Sequence, residues 1–585
     1  MAGGWSLVTV LIIAHPTGPT AFHPPDLDRS PTTNDDYLCM ANKGSIAKHA
    51  AAASSSSTTF SRRGVLVGAA GAGALAAVGT VGLGGAAATP RPSLPKRTPI
   101  PSGSGTGVPA PRDWATRLLS RAAYGPTPAS VAEANALGSP SAWVAKQLNS
   151  TAIPDPVGDT VRGLYPELNW SITQVHANIK EFSWDVQELI GPASLAQAIW
   201  SSRQLYEVMV EFWSNHLNVT CPSDSVWDNR QEYDRLVIRP NALGKFKTML
   251  AASAKSASML RYLNNDSSTK DSPNENYGRE LLELHTVGVD GGYTETMVQH
   301  SARIFTGWTV HDNTGLAYYN PTIHDTQPAS VLGFSNANSA ADGRPVVDAY
   351  LAYLAGHRKT AERIASKLVK RFVSDADQPA LEAHLADVFQ ANDTDIKPVL
   401  VALFASHEFW GSRGAKVKRP YEDLVSTARV VGMAPLATGT NAVRRDAFSD
   451  MYWQARDLRN APLYWGPPNG YPDFALAWQS ADGALGRWNL HQAYAAGWWP
   501  NSGKIQIANL PSMLPSPLPA TYGQLVDALS MRLIFTTLTG PQRDAVLVFM
   551  AKTATSPLKS TDSWVTYKLS QVVSLLLDSP THTLR

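Results

Sequence analysis

Cysteine is nearly absent: Cys39 and Cys221 are the only two in 585 residues. Only Cys221 survives removal of the leader described below, so the mature chain is expected to hold no intrachain disulfide. A charge bias is also missing. Fifty Lys plus Arg stand against 48 Asp plus Glu, a net +2, which leaves no broad electrostatic footprint for nucleic acid or an anionic membrane. Neither partner is expected. The sequence lacks an H-E-x-x-H zinc helix, a Gly-rich phosphate loop ending in Lys-Ser/Thr, and a G-x-S-x-G nucleophile elbow. Gly68 to Gly73 is Gly-rich but lies inside the leader, so it is not a nucleotide fingerprint. Alternating apolar and polar runs are few, which argues against a large sheet.

What is present starts with a paired arginine. Arg62-Arg63 is followed by 25 uncharged residues, Gly64 to Ala88, rich in Gly and Ala and ending in Ala86-Ala87-Ala88. That pattern reads as a bacterial twin-arginine signal with small residues at the cleavage point. It implies passage through the twin-arginine machinery, membrane contact only during export, and a final place in the cell envelope or outside the cell. A retained anchor is the competing reading, since 25 residues at about 1.5 Å each span roughly 30 Å; the Gly content makes that helix weakly apolar. Residues 1–39 read as a mispredicted or disordered extension, with the biological start at Met40. Residues 40–88 form the signal region, and 89–111 (TPRPSLPKRTPIPSGSGTGVPAP) form a Pro/Gly/Ser-rich linker.

From Arg112 onward apolar residues recur at helical spacing, and 17 Trp with 19 Tyr supply area for a large core. The fold expected is mainly α: a large multi-helix body with a long loop or small hairpin insertion at 312–343. Predicted helices include 114–122, 128–137, 195–217, 229–238, 240–263, 273–286 and 295–306. Others are 359–373, 396–406, 420–431, 522–537, 542–551 and 562–578. Ser272-Pro273-Asn274-Glu275 reads as a capping box, Gly288 and Gly307 as helix stops, and Thr294 as an N-cap.

Two segments carry candidate chemistry, Glu211 to His216 and Asn274 to His285, and both end in histidine. On a regular helix His285 lies on the apolar face, while Glu280 is about 140° and Glu283 about 160° away from it. One helix therefore does not chelate an ion by itself. His216 likewise sits on an apolar face with Leu205, Met209, Phe212 and Trp213. Both histidines read either as core residues with satisfied rings or as a convergent site. The convergent reading makes His216, His285 and Glu280 the catalytic candidates, and His216, His285, His324 and Asp325 the ligands of a divalent metal. Glu275, Arg279 and Glu283 supply two i,i+4 charge pairs. Asn215 and Asn276 read either as groups that orient an imidazole or water, or as surface caps. The loop Trp465 to Asp473, followed by Trp478 and Trp488, either lines a groove or packs onto the body.

Taken in order, these motifs resemble the bacterial "domain of unknown function 1800" family. The resemblance starts at Arg117-Leu118-Leu119-Ser120-Arg121-Ala122-Ala123-Tyr124-Gly125-Pro126-Thr127, and includes Glu211 to His216 and Arg239 to Gly244. ENYGRELLELHTVGVDGGYTE is its most specific block. His324-Asp325, Ala365 to Phe372, Lys418-Arg419-Pro420 and Gly466 to Pro472 complete it, so it covers nearly all of 112–585. At Ala254 to Leu260 the chain departs from relatives that carry His-Pro before Ala-Met-Leu, and a histidine role there does not transfer. The resemblance implies an exported helical protein, often encoded beside an exported "domain of unknown function 1501" protein, with no established reaction. Two functions follow as expectations. One is a metal-dependent hydrolase or oxidase with a His/carboxylate site; the other is a non-catalytic binding or assembly partner of another exported protein.

Overall fold

The computed structural model describes residues 113–507 and 510–585. The expected extension, the signal with Arg62 and Arg63, the linker and Arg112 lie outside the described residues. Among those described, no helix is long and apolar enough to cross a membrane.

Local capping chemistry sets the first elements. Helices Trp114–Ala122 and Pro128–Leu137 form as expected, the second with Thr127 accepting from the Ser130 N–H and Pro128 in the first turn. The expected helix 195–217 is corrected to two, Gln187–Trp200 and Gln204–His216. Asp155 holds the break, accepting from the Ser201 hydroxyl and the Ser202 N–H at 2.8 Å each. The expected 240–263 helix also divides, giving Phe246–Ala254 and Ala257–Tyr262, with Ser256 capping the second. Likewise 562–578 divides into Ser563–Thr566 and Leu569–Leu577.

The 273–286 segment starts later than expected. Asn274, not Ser272, is the N-cap, its side chain accepting from the Asn276 N–H at 2.9 Å. One α-helical stretch, Glu275–Glu280, runs into a wide π-helical turn, Leu281–His285. That turn shifts the register, so Arg279 pairs with Glu275 at 3.2 Å and with Glu295 at 2.6 Å, and the expected pair with Glu283 does not form. Gly278 lets this helix lie against Glu295–Phe305: a Cβ there would stand 2.7 Å from the Ala302 nitrogen.

The polar insertion forms two short ribbons, Trp308–Val310 with Ala317–Tyr319 and Ala329–Val331 with Phe334–Asn336, both antiparallel. The rest is mainly helical, including Arg344–Gly356, Pro379–Ala391, Asn441–Asp457 and Ala481–Ala496, which were not expected. Pro420–Val430 is the interior helix, buried along nearly its whole length and packed on Ala481–Ala496 and Gln187–Trp200. It carries two adjacent carboxylates, Glu422 and Asp423, into that interior. Burial alone would raise the Glu422 carboxyl, but Arg371 (2.5 Å), Arg585 (3.0 Å) and Arg419 (3.2 Å) hold it well below the usual range.

Candidate functional site

Helix Arg358–Phe372 is sharply two-faced. Ala361, Ile364, Ala365, Leu368, Val369 and Phe372 enter the core, while Lys359, Arg363, Ser366, Lys367 and Lys370 line a cleft of about 800 Å³. Helix Gln204–His216 supplies a second wall through Glu211, Asn215 and His216. Val287 to Asp290, after the π-helical turn, and the 465–474 loop supply the others.

His216 is 2% exposed at the base of this cleft. Its ring stacks on Phe212 and meets Trp213 edge-on. Its Nε2 lies 3.0 Å from the His285 carbonyl and its Nδ1 lies 3.0 Å from Lys367 Nζ. These partners assign the roles: Nε2–H donates to the carbonyl and Nδ1 accepts from the amine. Burial, then Lys367 and Arg363, push the His216 pKa well down, so the ring stays neutral. Burial, with Arg363 next, brings the Lys367 amine down to about 7. Among the described residues neither Lys367 nor Arg363 forms an ion pair; Arg363 Nε donates to the Leu284 carbonyl at 3.3 Å.

The 465–474 loop is fixed by polar bonds from the body. Asn218 donates to the Trp465 and Pro467 carbonyls at 2.9 and 2.7 Å, and Asn215 Oδ1 accepts from the Tyr471 N–H at 3.2 Å. Gly470, with φ +70°, passes so close to the Asn215 carbonyl that a side chain there would collide with it. Burial would raise the Asp473 carboxyl, but Lys416, Arg419 and Arg371 bring it down to about 2. Lys416 bridges Asp473 and Asp375 at 2.7 Å each, and Glu211 pairs with Arg419 at 2.9 Å. The loop therefore both packs on the body and walls the cleft.

The sequence-predicted residues divide. His216 and His285 meet, but through one ring and one main-chain oxygen. The His285 ring is fully buried and neither of its nitrogens has a hydrogen-bond partner; burial, Lys367 and Arg363 bring its pKa down to about 3. Glu280 does not line the cleft; burial and the neighbouring Glu283 carry its carboxyl up to about 7. His324 donates from Nδ1 to the Thr306 carbonyl at 2.8 Å and faces Asn338 at 3.1 Å. Asp325 accepts from the Gln327 N–H and receives none of the other three proposed ligands. These two residues pin the hairpin insertion to the end of helix Glu295–Phe305. Among the described residues, the group of three whose ligand atoms lie within 4.8 Å of one another is Asp423, His491 and His582, and none of them lines the cleft.

Lys367, Arg363 and Asp473 were missed as site residues. Lys367 lay in the Ala365 to Phe372 block of the resemblance, Arg363 on the polar face of helix Arg358–Phe372, and Asp473 at the end of the Trp465 to Asp473 loop.

The family described as "Protein of unknown function (DUF1800)" matches residues 117–584. The chain belongs to this family. No curated protein and no solved structure matches.

Proposed function

We propose that this chain is an exported enzyme of the cell envelope whose cleft binds a substrate through an anionic group and cleaves it by hydrolysis. The observation that carries this reading is the Lys367–His216 contact at the cleft base beside Arg363, two basic side chains that form no ion pair among the described residues. Arg363 supplies charge for a phosphate, sulfate or carboxylate. An uncharged Lys367 amine accepts a proton from water as that water attacks, and the ammonium returns it to the leaving group, while His216 holds the amine in position. Export through the twin-arginine machinery is part of the same reading, supported by Arg62-Arg63 and the uncharged run after it.

The test is a panel of chromogenic phosphate, sulfate and carboxylic esters offered to the wild type, Lys367→Met and Arg363→Gln. Turnover of one class, reduced at least about 100-fold in folded Lys367→Met, supports the proposal. Equal rates in the wild type and both variants contradict it.

A second reading is favoured by one observation. Phe474, Leu476, Leu485 and Trp488 are exposed, Leu476 by 80%, an apolar display suited to a protein partner. On that reading the chain is a non-catalytic assembly partner of another exported protein, such as one of the "domain of unknown function 1501" family.

A further inference from the structure

Away from the cleft, the interior helix Pro420–Val430 presents Asp423 to His491, on Ala481–Ala496, and to His582, on the Pro580–Thr583 turn. The three are 0%, 1% and 5% exposed. His491 Nε2 stands 3.3 Å from Asp423 Oδ2, and His582 Nε2 stands 3.2 Å from Oδ1. Charge-assisted N–H···O bonds close to about 2.7–2.9 Å. Two ligands on one tetrahedral zinc, each bonded at about 2.0–2.1 Å, stand about 3.3 Å apart. The observed separations equal that coordination edge and lie at the long limit of N–H···O hydrogen bonds.

Two further observations point the same way. Asp423 Oδ1 is buried and has no hydrogen-bond partner, although an ionised oxygen hidden from water is costly to leave bare. On the far side of His491, Nδ1–H donates to Asp578 Oδ1 at 2.8 Å. In a neutral ring this bond places the lone pair on Nε2, facing the Asp423 carboxylate, where either a proton or a metal cation must lie between them. A carboxylate behind a histidine is a familiar support for a metal ligand.

We infer that Asp423, His491 and His582 bind one zinc-type divalent cation, with Asp578 orienting His491. Two imidazoles and a carboxylate form a borderline donor set of the kind zinc takes. Water completes the coordination from a cavity of about 410 Å³ that His582 lines, and Thr427 Oγ1 hydrogen-bonds His582 Nε2 at 3.1 Å when no ion is bound. The ion ties the Pro580–Thr583 turn and helix Ala481–Ala496 to the interior helix. Nothing in this inference depends on the chemistry of the cleft. The rival occupant is a proton on His491. The carboxylates Asp423 and Asp578 on either side of the ring favour that rival, while Arg487, 3.9 Å from Asp423 Oδ2, opposes any added positive charge.

Elemental analysis of the full-length chain, purified without chelator or His tag, decides between them, together with zinc titration of chelator-treated protein followed by thermal unfolding. About one zinc per chain is expected, with a Tm that falls by about 5 °C on chelation and returns with added zinc. His491→Gln and His582→Gln should bind zinc at least about 100-fold more weakly, and Asp578→Asn about 10-fold more weakly. If the ligand variants do not fold, the titration of chelated wild type still reads the site. A folded wild type that contains no metal and takes up no added zinc overturns the inference, as does full zinc content in both folded ligand variants.

Discussion

The Nε2 of His216 lies 3.0 Å from the main-chain carbonyl of His285, not from its ring. This contact ties the end of helix Gln204–His216 to the π-helical turn Leu281–His285 and fixes the tautomer of His216. Its Nδ1 is thereby left to accept from Lys367. The first prediction follows from this bond. His216→Ala leaves a buried carbonyl without its donor and opens space among Phe212, Trp213 and Phe246, for a combined loss of about 3 kcal/mol. Urea unfolding of the variant beside the wild type measures it.

Lys367 sets a pH dependence of stability. Its ordinary pKa of 10.5 drops to about 7 in the fold, so between those values the unfolded chain binds more protons at this site than the folded chain does. Its contribution to stability therefore rises with pH across that window. The groups facing it are Arg363 and Lys370 from its own helix, Asp473 from the 465–474 loop, and His216 and His285 across the cleft base. Lys367→Met should be more stable than the wild type at pH 7, and the difference should shrink toward pH 10. Paired denaturation curves at the two pH values check the sign.

Arg121 is 2% exposed and donates to the carbonyls of Phe372, Val373, Ser412 and Arg585 at 2.6–2.9 Å. It gathers three distant segments onto helix Trp114–Ala122. Arg121→Met strands several buried acceptors at once and should cost about 4 kcal/mol, which lowers Tm in a calorimetric scan.

How legible the sequence was depended on how local the cause is. Pro128–Leu137 was read to the residue because Thr127, Pro128 and Gly138 lie beside the element they bound. The break between Trp200 and Gln204 was invisible because the carboxylate that makes it, Asp155, sits 46 residues upstream of Ser201. His216 and His285 were correctly brought near each other, but the π-helical turn hid which of their atoms meet. Glu211 lines the cleft wall, where it pairs with Arg419, 208 residues further along the chain. Asp423, His491 and His582 come from three elements with no common spacing, so no motif announced them.

Export offers a test independent of the folded body. Replacing Arg62-Arg63 by a lysine pair should abolish passage across the membrane in a host with an intact twin-arginine system and leave the protein in the cytoplasm. Fractionation of the wild type and the Arg62→Lys, Arg63→Lys variant reads the result. Equal export of the two would assign the segment to another route.

The account rests most heavily on an amine at the cleft base whose pKa falls to about 7, so that both its charged and uncharged forms are populated near neutral pH. Its direct test is competitive labelling of the folded protein with a trace amine reagent from pH 6 to 11, with each lysine quantified by mass spectrometry. The account predicts that Lys367 gains reactivity with a midpoint of about 7. A Lys367 midpoint near the ordinary lysine value of 10.5 would contradict it.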